Sequence, residues 1–189
     1  MFARKRSWSG VQWGLIGSAI AAGAALIPLA PAIRRRAMNV TTILKKDHRV
    51  VRGLIMALEM TPRTNRNVRH KLFEQIRHRL TLHMHAEEEA VYPAMKMVSF
   101  GPEEGKIEEL YREHQTLKDL MGQMHGMDPA GDEFEGKLKE LKGNIQQHMT
   151  REENEMFKLL TDRISPEQLQ NLGERVHQRK KDLKPQIAA

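Results

Sequence analysis

Four stretches of helical apolar periodicity, each separated from the next by a few turn-forming residues, leave this chain little choice but to fold as a bundle of long helices. From roughly 39 to 60, Leu44, His48, Val51, Ile55 and Leu58 recur at intervals of 4, 3, 4 and 3 before Thr61-Pro62-Arg63-Thr64-Asn65 breaks the pattern. From roughly 66 to 98, Leu72, Ile76, His83, Glu87, Ala90 and Ala94 form one stripe, ended by Ser99-Phe100-Gly101-Pro102. The third stretch, roughly 103–125, carries Ile107, Leu110, His114, Leu117, Met121 and Met124, and a loop from Gly126 to Gly131 follows. The fourth, roughly 132–162, carries Phe134, Leu138, Leu141, Ile145, His148, Glu152 and Leu159. Helix-forming residues dominate and β-branched runs are nearly absent. The expected fold is all-α: an antiparallel up-down-up-down four-helix bundle over residues 38–162. In the remaining 163–189, Ser165-Pro166-Glu167 reads as the start of a short fifth helix reaching about Lys181, before a polar tail.

The N-terminal region, residues 1–36, has a different character. Val11 to Ile33 is 23 positions without a charge, with Trp8 and Trp13 at one end and basic clusters on both sides. That length suffices to cross a bilayer, and border tryptophans suit an interfacial belt. A signal anchor is the favoured reading, and the denser basic residues after the segment place the globular part in the cytoplasm. A cleaved export signal is the second reading, since Ala30-Pro31-Ala32 resembles a cleavage site. An apolar helix packed on the bundle or lying at the membrane surface is the third. Gly17, Ala21 and Ala24 fall on roughly one face and allow a homodimer. The net charge of +7 belongs here too. Six of the 31 Lys and Arg lie in residues 1–36 with no acid, leaving 25 basic against 24 acidic residues elsewhere. The body of the chain is therefore nearly neutral, and no nucleic-acid partner is expected.

Each apolar seam is interrupted by a histidine: His48, His83, His114 and His148. In the second and fourth stretches a glutamate follows four residues later, Glu87 and Glu152, on the same helix face. Six polar groups then point into the bundle, where unpaired burial is costly. Two carboxylates and four imidazoles suit one or two divalent transition ions. With no cysteine in the chain, thiolate zinc sites and cysteine-held iron–sulfur clusters are excluded. No Gly-rich phosphate loop or nucleophile elbow is present, so an ordinary hydrolase or nucleotide-binding enzyme has no support.

The pattern is also duplicated. His48 and His83 are 35 residues apart, and His114 and His148 are 34 apart. His-Met-His-Ala-Glu-Glu-Glu-Ala-Val-Tyr-Pro at 83–93 aligns without a gap on His-Met-Thr-Arg-Glu-Glu-Asn-Glu-Met-Phe-Lys at 148–158, and Lys46-Asp47-His48 faces Arg112-Glu113-His114. Two helix hairpins related by a pseudo-twofold axis would each present a lone His and a His-x-x-x-Glu, a symmetry that two metals bridged by two glutamates would satisfy.

A lone His on helices one and three, with His-x-x-x-Glu on helices two and four, resembles the hemerythrin-like (HHE cation-binding) family across about residues 38–162. The resemblance implies that His48, His83, Glu87, His114, His148 and Glu152 hold a non-haem diiron centre, with manganese or zinc ranked behind iron. It implies an exchangeable position for O2 or a related small molecule such as nitric oxide or peroxide. Oxygen-carrying members add a second His four residues after the lone one on helix three, where this chain has Lys118. Simple reversible oxygen carriage is thereby weakened against binding or sensing, with a ferroxidase- or peroxidase-like enzyme or iron-handling protein as the alternative.

Several neighbours compete with these six. Tyr111, one turn before His114, is a candidate extra ligand or hydrogen-bond donor, though such a tyrosine is more often packed. Glu153 could replace Glu152 if the helix is locally wound; Glu88 and Glu153 are otherwise candidates to support the neighbouring inward residues from outside, with a solvated face as the favoured place. His85 rivals His83 because Glu89 follows it by four, but the alignment with His148 favours His83 and turns His85 roughly 200° away. His70, His78, His125 and His177 are expected at the surface.

Overall fold

The computed structural model describes residues 38–99 and 102–187. The expected anchor over 11–33, and the choice between its readings, lie outside the described residues. Among those described, no strand occurs and no helix is long and apolar enough to cross a membrane.

Helix α1 spans Val40–Met60, capped by Asn39, whose side chain accepts the Thr41 N–H at 3.0 Å. Helix α2 has three parts: Arg66–Ala86 in α geometry, a π-helical turn over Glu87–Val91, and a final α segment Tyr92–Lys96. Helix α3 spans Pro102–Met124. Gly126, at φ +88°, turns the chain after it in a conformation that glycine adopts without strain. Helix α4 repeats the construction of α2, with Asp132–Arg151, a π-helical turn Glu152–Met156 and Phe157–Arg163.

Neighbouring helices run antiparallel, as their side-chain pairs show. Between α1 and α4, Lys142 meets Glu59 near one end and Glu153 meets His48 towards the other. Between α2 and α3 the pairs are Glu74 with His125 and Glu88 with His114. Arg69 closes the end that holds both hairpin turns. Although buried, its guanidinium donates to the carbonyls of Leu58, Thr61 and Pro129 and pairs with Glu135, so one side chain ties the turn of the first hairpin to that of the second.

The π turns adjust the core stripe. Sequence periodicity places Ala94 and Leu159 inside, but the structure buries Met95 and Leu160 and leaves Ala94 and Leu159 partly covered. One extra residue in each wide turn shifts the downstream face by one position. Phe73 likewise takes the fully buried place expected of Leu72.

The apolar core falls into two parts. One lies towards the hairpin turns, around Ile55, Ile76, Leu117 and Leu141; the other lies at the opposite end, around Leu44, Val91, Leu110 and Leu160. On every bundle helix the seam histidine sits between them, so a polar layer divides the core at mid-height.

The last helix departs from expectation. Helix α5 spans Pro166–Ile187, and Leu183 beyond Lys181 is buried. Its start is a capping box: the Ser165 hydroxyl accepts the Gln168 N–H, and the Gln168 side chain accepts the Ser165 N–H. Leu169, Leu172 and Val176 bury α5 against the second core part, and it packs across α1 and α2. Closeness at Gly173 makes this possible, since a Cβ there would lie 1.7 Å from the Met38 carbonyl oxygen. Gly173→Ala must push α5 off the chain entering α1, with an expected cost of about 1–3 kcal/mol. Gly136→Ala on the exposed face of α4, where a Cβ meets nothing within 4 Å, should instead stabilise by about 0.5–1 kcal/mol. Urea unfolding of the two variants checks the opposite signs.

Candidate metal centre

The polar layer brings together all six seam residues: His48, His83, Glu87, His114, His148 and Glu152 are each no more than 1 % exposed. They form two groups of four that share both glutamates, His48, His83, Glu87, Glu152 and Glu87, His114, His148, Glu152, with the donor atoms of each group within 4.8 Å of one another. In the first, Nε2 of His48 and Nε2 of His83 are 3.2 Å apart, and Glu152 Oε2 is 3.3 Å from His48. In the second, the Nε2 atoms of His114 and His148 are also 3.2 Å apart, and Glu152 Oε2 lies 3.4 Å from His148. Glu87 reaches both sides, 3.1 Å from His83 and 3.4 Å from His114.

Every imidazole turns Nε2 inward and Nδ1 towards a carboxylate. His48 Nδ1 is 2.8 Å from Glu153, His114 Nδ1 2.8 Å from Glu88, His148 Nδ1 3.0 Å from Glu113 and His83 Nδ1 3.5 Å from Asp47. A proton on Nδ1 facing each carboxylate leaves a bare lone pair on Nε2, which is the tautomer a metal takes. Glu88 and Glu153 therefore do not sit on a solvated face. Each is partly buried and orients a histidine, and Glu152 keeps the inward place that Glu153 was considered for. Asp47 and Glu113, which sequence reading did not single out, share that role. Their signal was the duplication itself: in each half the residue before the lone His and the residue after the inward Glu are acidic.

The other candidates lie elsewhere. His85 is more than a third exposed and 3.9 Å from Glu89. Tyr111 directs its hydroxyl to the Glu88 carbonyl at 3.4 Å and packs edge-on against Tyr92. Lys118 binds both oxygens of Glu88, at 2.7 and 2.9 Å.

Tyr92 is the residue that sequence reading missed. The π turns begin at Glu87 and Glu152, and Tyr92 and Phe157 close them by donating their N–H groups to the Glu87 and Glu152 carbonyls. Both rings face the layer. Phe157 stacks on His48 with 5.8 Å between centroids, and Tyr92 lies over His114 at 5.2 Å. Only Tyr92 brings a hydroxyl, which is 2.9 Å from His114 Nε2 and donates to Glu152 at 3.0 Å.

The electrostatics of the protein alone are unbalanced. Burial pushes the Glu87 carboxyl well above the usual carboxylate range, and the Glu152 carboxylate adds to the rise. Burial acts on Glu152 in the same sense, but the imidazoles of His148, His48 and His83 outweigh it and hold Glu152 low. Burial takes His83 down to about 3 and lowers His114, whereas for His148 it is outweighed by Glu152 and Glu113 and the value rises. Burial also opposes ionisation of Asp47 and Glu88, yet His83 and Lys180, and His114 and Lys118, bring both to about 2. Both oxygens of Glu87, Oε2 of Glu152 and Nδ1 of His83 are buried without a hydrogen-bond partner. Such atoms cost roughly 1–3 kcal/mol each when left unmet. Cations between the paired Nε2 lone pairs and the shared carboxylates would answer the inward-facing oxygens of Glu87 and Glu152 at once.

The bundle has known relatives. A family model described as the hemerythrin HHE cation-binding domain matches residues 39–160. A protein of Nostoc named a DNA nickase is 30% identical over 158 residues, covering 82% of this chain and 44% of that protein, so the chain spans less than half the length of this relative. An uncharacterized protein of Mycobacterium tuberculosis is 26% identical over 149 residues, 78% of this chain and 88% of its own. The crystal structure of a hemerythrin HHE cation-binding domain-containing protein from Mycobacterium kansasii superposes with a TM-score of 0.68 at 23% identity, covering 78% of this chain and 88% of that one, which is a likeness of fold.

Cation binding needs both inward carboxylates ionised, so loading below the raised value of Glu87 is expected to release its proton. The sign follows from the raised value. Folded Glu87 holds its proton where the unfolded chain has lost it, so its contribution to metal-free stability declines as pH rises above about 4.3 while apparent metal affinity increases. Calorimetric metal titrations in buffers of different ionisation enthalpy measure the release; heats independent of buffer at pH 7 would mean an already ionised Glu87.

Proposed function

This chain belongs to the hemerythrin HHE cation-binding domain family, and from that premise we propose that its buried layer holds two iron ions and uses them to bind or sense O2, nitric oxide or a peroxide. The observation that carries this reading is the sharing of Glu87 and Glu152 between two four-residue groups, each completed by its own pair of imidazoles. His48 and His83 would hold one ion, His114 and His148 the other, with the two carboxylates between them. Nitrogen and carboxylate donors of this kind suit iron, which supplies an exchangeable coordination position and redox reactivity when bound. Manganese and zinc accept similar donors and rank behind it.

The surrounding residues support a small ligand. All six donors are buried and apolar side chains close the layer above and below, so bulk solvent is kept out and only a molecule of a few atoms could be admitted. A DNA strand could not reach them, so this layer does not account for the name of the longer Nostoc relative. The Nδ1 carboxylates keep the Nε2 lone pairs inward. Tyr92 gives the His114 side a hydroxyl, as hydrogen-bond donor to a ligand or as a further oxygen donor, whereas Phe157 keeps the His48 side apolar. Lys118, engaged with Glu88, leaves two imidazoles on each side. A second reading, redox turnover of peroxide or ferrous iron through the same residues, is favoured by that buried phenol at the donor set. We propose further that residues 11–33 tether the bundle to a membrane from the cytoplasmic side, on the strength of their uncharged length and flanking basic clusters.

Loading the purified chain with ferrous iron without air, and then admitting air, tests the reading. About two iron ions per chain and a new visible absorption band are expected, with iron content falling to about one or less in His83→Ala and Glu87→Ala. Reappearance of the starting spectrum when oxygen is removed supports binding, and sustained peroxide consumption supports turnover. Failure to retain iron, or retention unaffected by either substitution, sinks the proposal.

A further inference from the structure

Behind each carboxylate that holds a histidine stands a cation. Arg52 pairs with Glu153 at 3.0 Å, Lys118 with Glu88 at 2.7 Å, Arg151 with Glu113 at 3.4 Å and Lys180 with Asp47. Two of these obey the internal duplication: Arg52 lies four residues after His48, and Lys118 four after His114. Arg151 lies three residues after His148, but the matching position after His83 is Ala86, which is fully buried and has no charge to offer. Lys180 of α5 stands where that cation is missing.

We propose that α5 is a working part of the metal centre: Lys180 fixes Asp47, Asp47 orients His83, and the docking of α5 thereby sets how firmly the His48–His83 side holds its ion. The proposal rests on the two-ion reading above. Lys180 and Asp47 are only 16 % and 26 % exposed, unlike an ordinary surface pair. The carboxylate contact to His83 is the longest of the four, at 3.5 Å, and falls short of a hydrogen bond, so a small shift of Asp47 decides whether it reaches this ring. Arg179 ties the next position of α5 to Glu89, within the π turn that Glu87 opens, at 2.8 Å. Ala86 is also what lets α5 lie close, since it belongs to the core part in which Leu172 and Val176 are packed.

Lys180→Met in the full chain, with cobalt(II) as the probe and a chelator as competitor, tests this. The visible cobalt bands should show one of two equivalents weakened about tenfold or more and the other unchanged. Lys180→Arg should restore most of the loss, and Lys181→Met, at an exposed neighbour, should have no effect. Asp47→Asn should weaken the same equivalent, and adding Lys180→Met to it should cost little more, because both act along one line. Amide exchange at Leu172 and Val176 reports whether α5 stays docked. Two unchanged equivalents in Lys180→Met would reduce the contact to an ion pair without consequence for the centre. Equal weakening of both, with protection of α5 lost, would show an effect through folding and would also overturn the proposal. A native chain that takes up no cobalt removes the two-ion reading and this inference together.

Discussion

Six ionisable groups share one buried layer, and the rest of the molecule is arranged around that expense. A bundle of this size could fill the layer with leucine and be more stable for it, since buried charges seldom repay their desolvation. Instead the apolar residues are divided into two parts above and below, and four imidazoles and two carboxylates occupy the gap. Once there, they dictate their neighbours. The rings must be kept from rotating, which requires a carboxylate at each Nδ1. Those partly buried carboxylates need cations, which come from side chains one turn further along or from another helix. The pattern runs outward from the layer to the surface, and charges that look like ordinary surface polarity in the sequence are its outermost members.

The two halves of the bundle are alike enough to compare position by position, and their differences are informative. Tyr92 and Phe157 occupy matching places over His114 and His48, so the halves differ by one hydroxyl at the point nearest the donors. Ala86 and Arg151 differ by a whole cation. A duplicated fold would make two equal sites; these substitutions give each side its own polarity and its own outer support. Chemistry that needs two unlike ions, or a ligand held by one end, finds the asymmetry already built in.

Much of this was legible before any coordinates. The bundle helices followed from periodicity because each is long and its seam is uninterrupted except by the histidines. The six inward residues followed from their duplicated spacing and their resemblance to a known family. What escaped had physical reasons. Tyr92 was hidden because a 3.6-residue period does not carry across a π turn, and the same turns displaced Ala94 and Leu159 from the core. Asp47, Glu88 and Glu113 sit beside charged residues and look solvated until a facing helix supplies the imidazole. Helix α5 looked short and peripheral because its apolar positions, Leu169, Leu172, Val176 and Leu183, are thinly spaced and its remaining ties are ion pairs to residues far away in the chain.

The matched π turns also bear on how such a chain can vary in length. Each accommodates one residue more than a regular helix would, an excess that without the wide turn would swing everything downstream by roughly 100°. Because each wide turn absorbs its extra residue, the downstream segments of α2 and α4 keep facing one another across the second core part. Removing one residue from either turn would close it to a regular helix and leave Met95 or Leu160 facing the core, whereas the same loss from a regular stretch of either helix would rotate it out. Changes of one residue in length are therefore absorbed at these turns, each independently of the other.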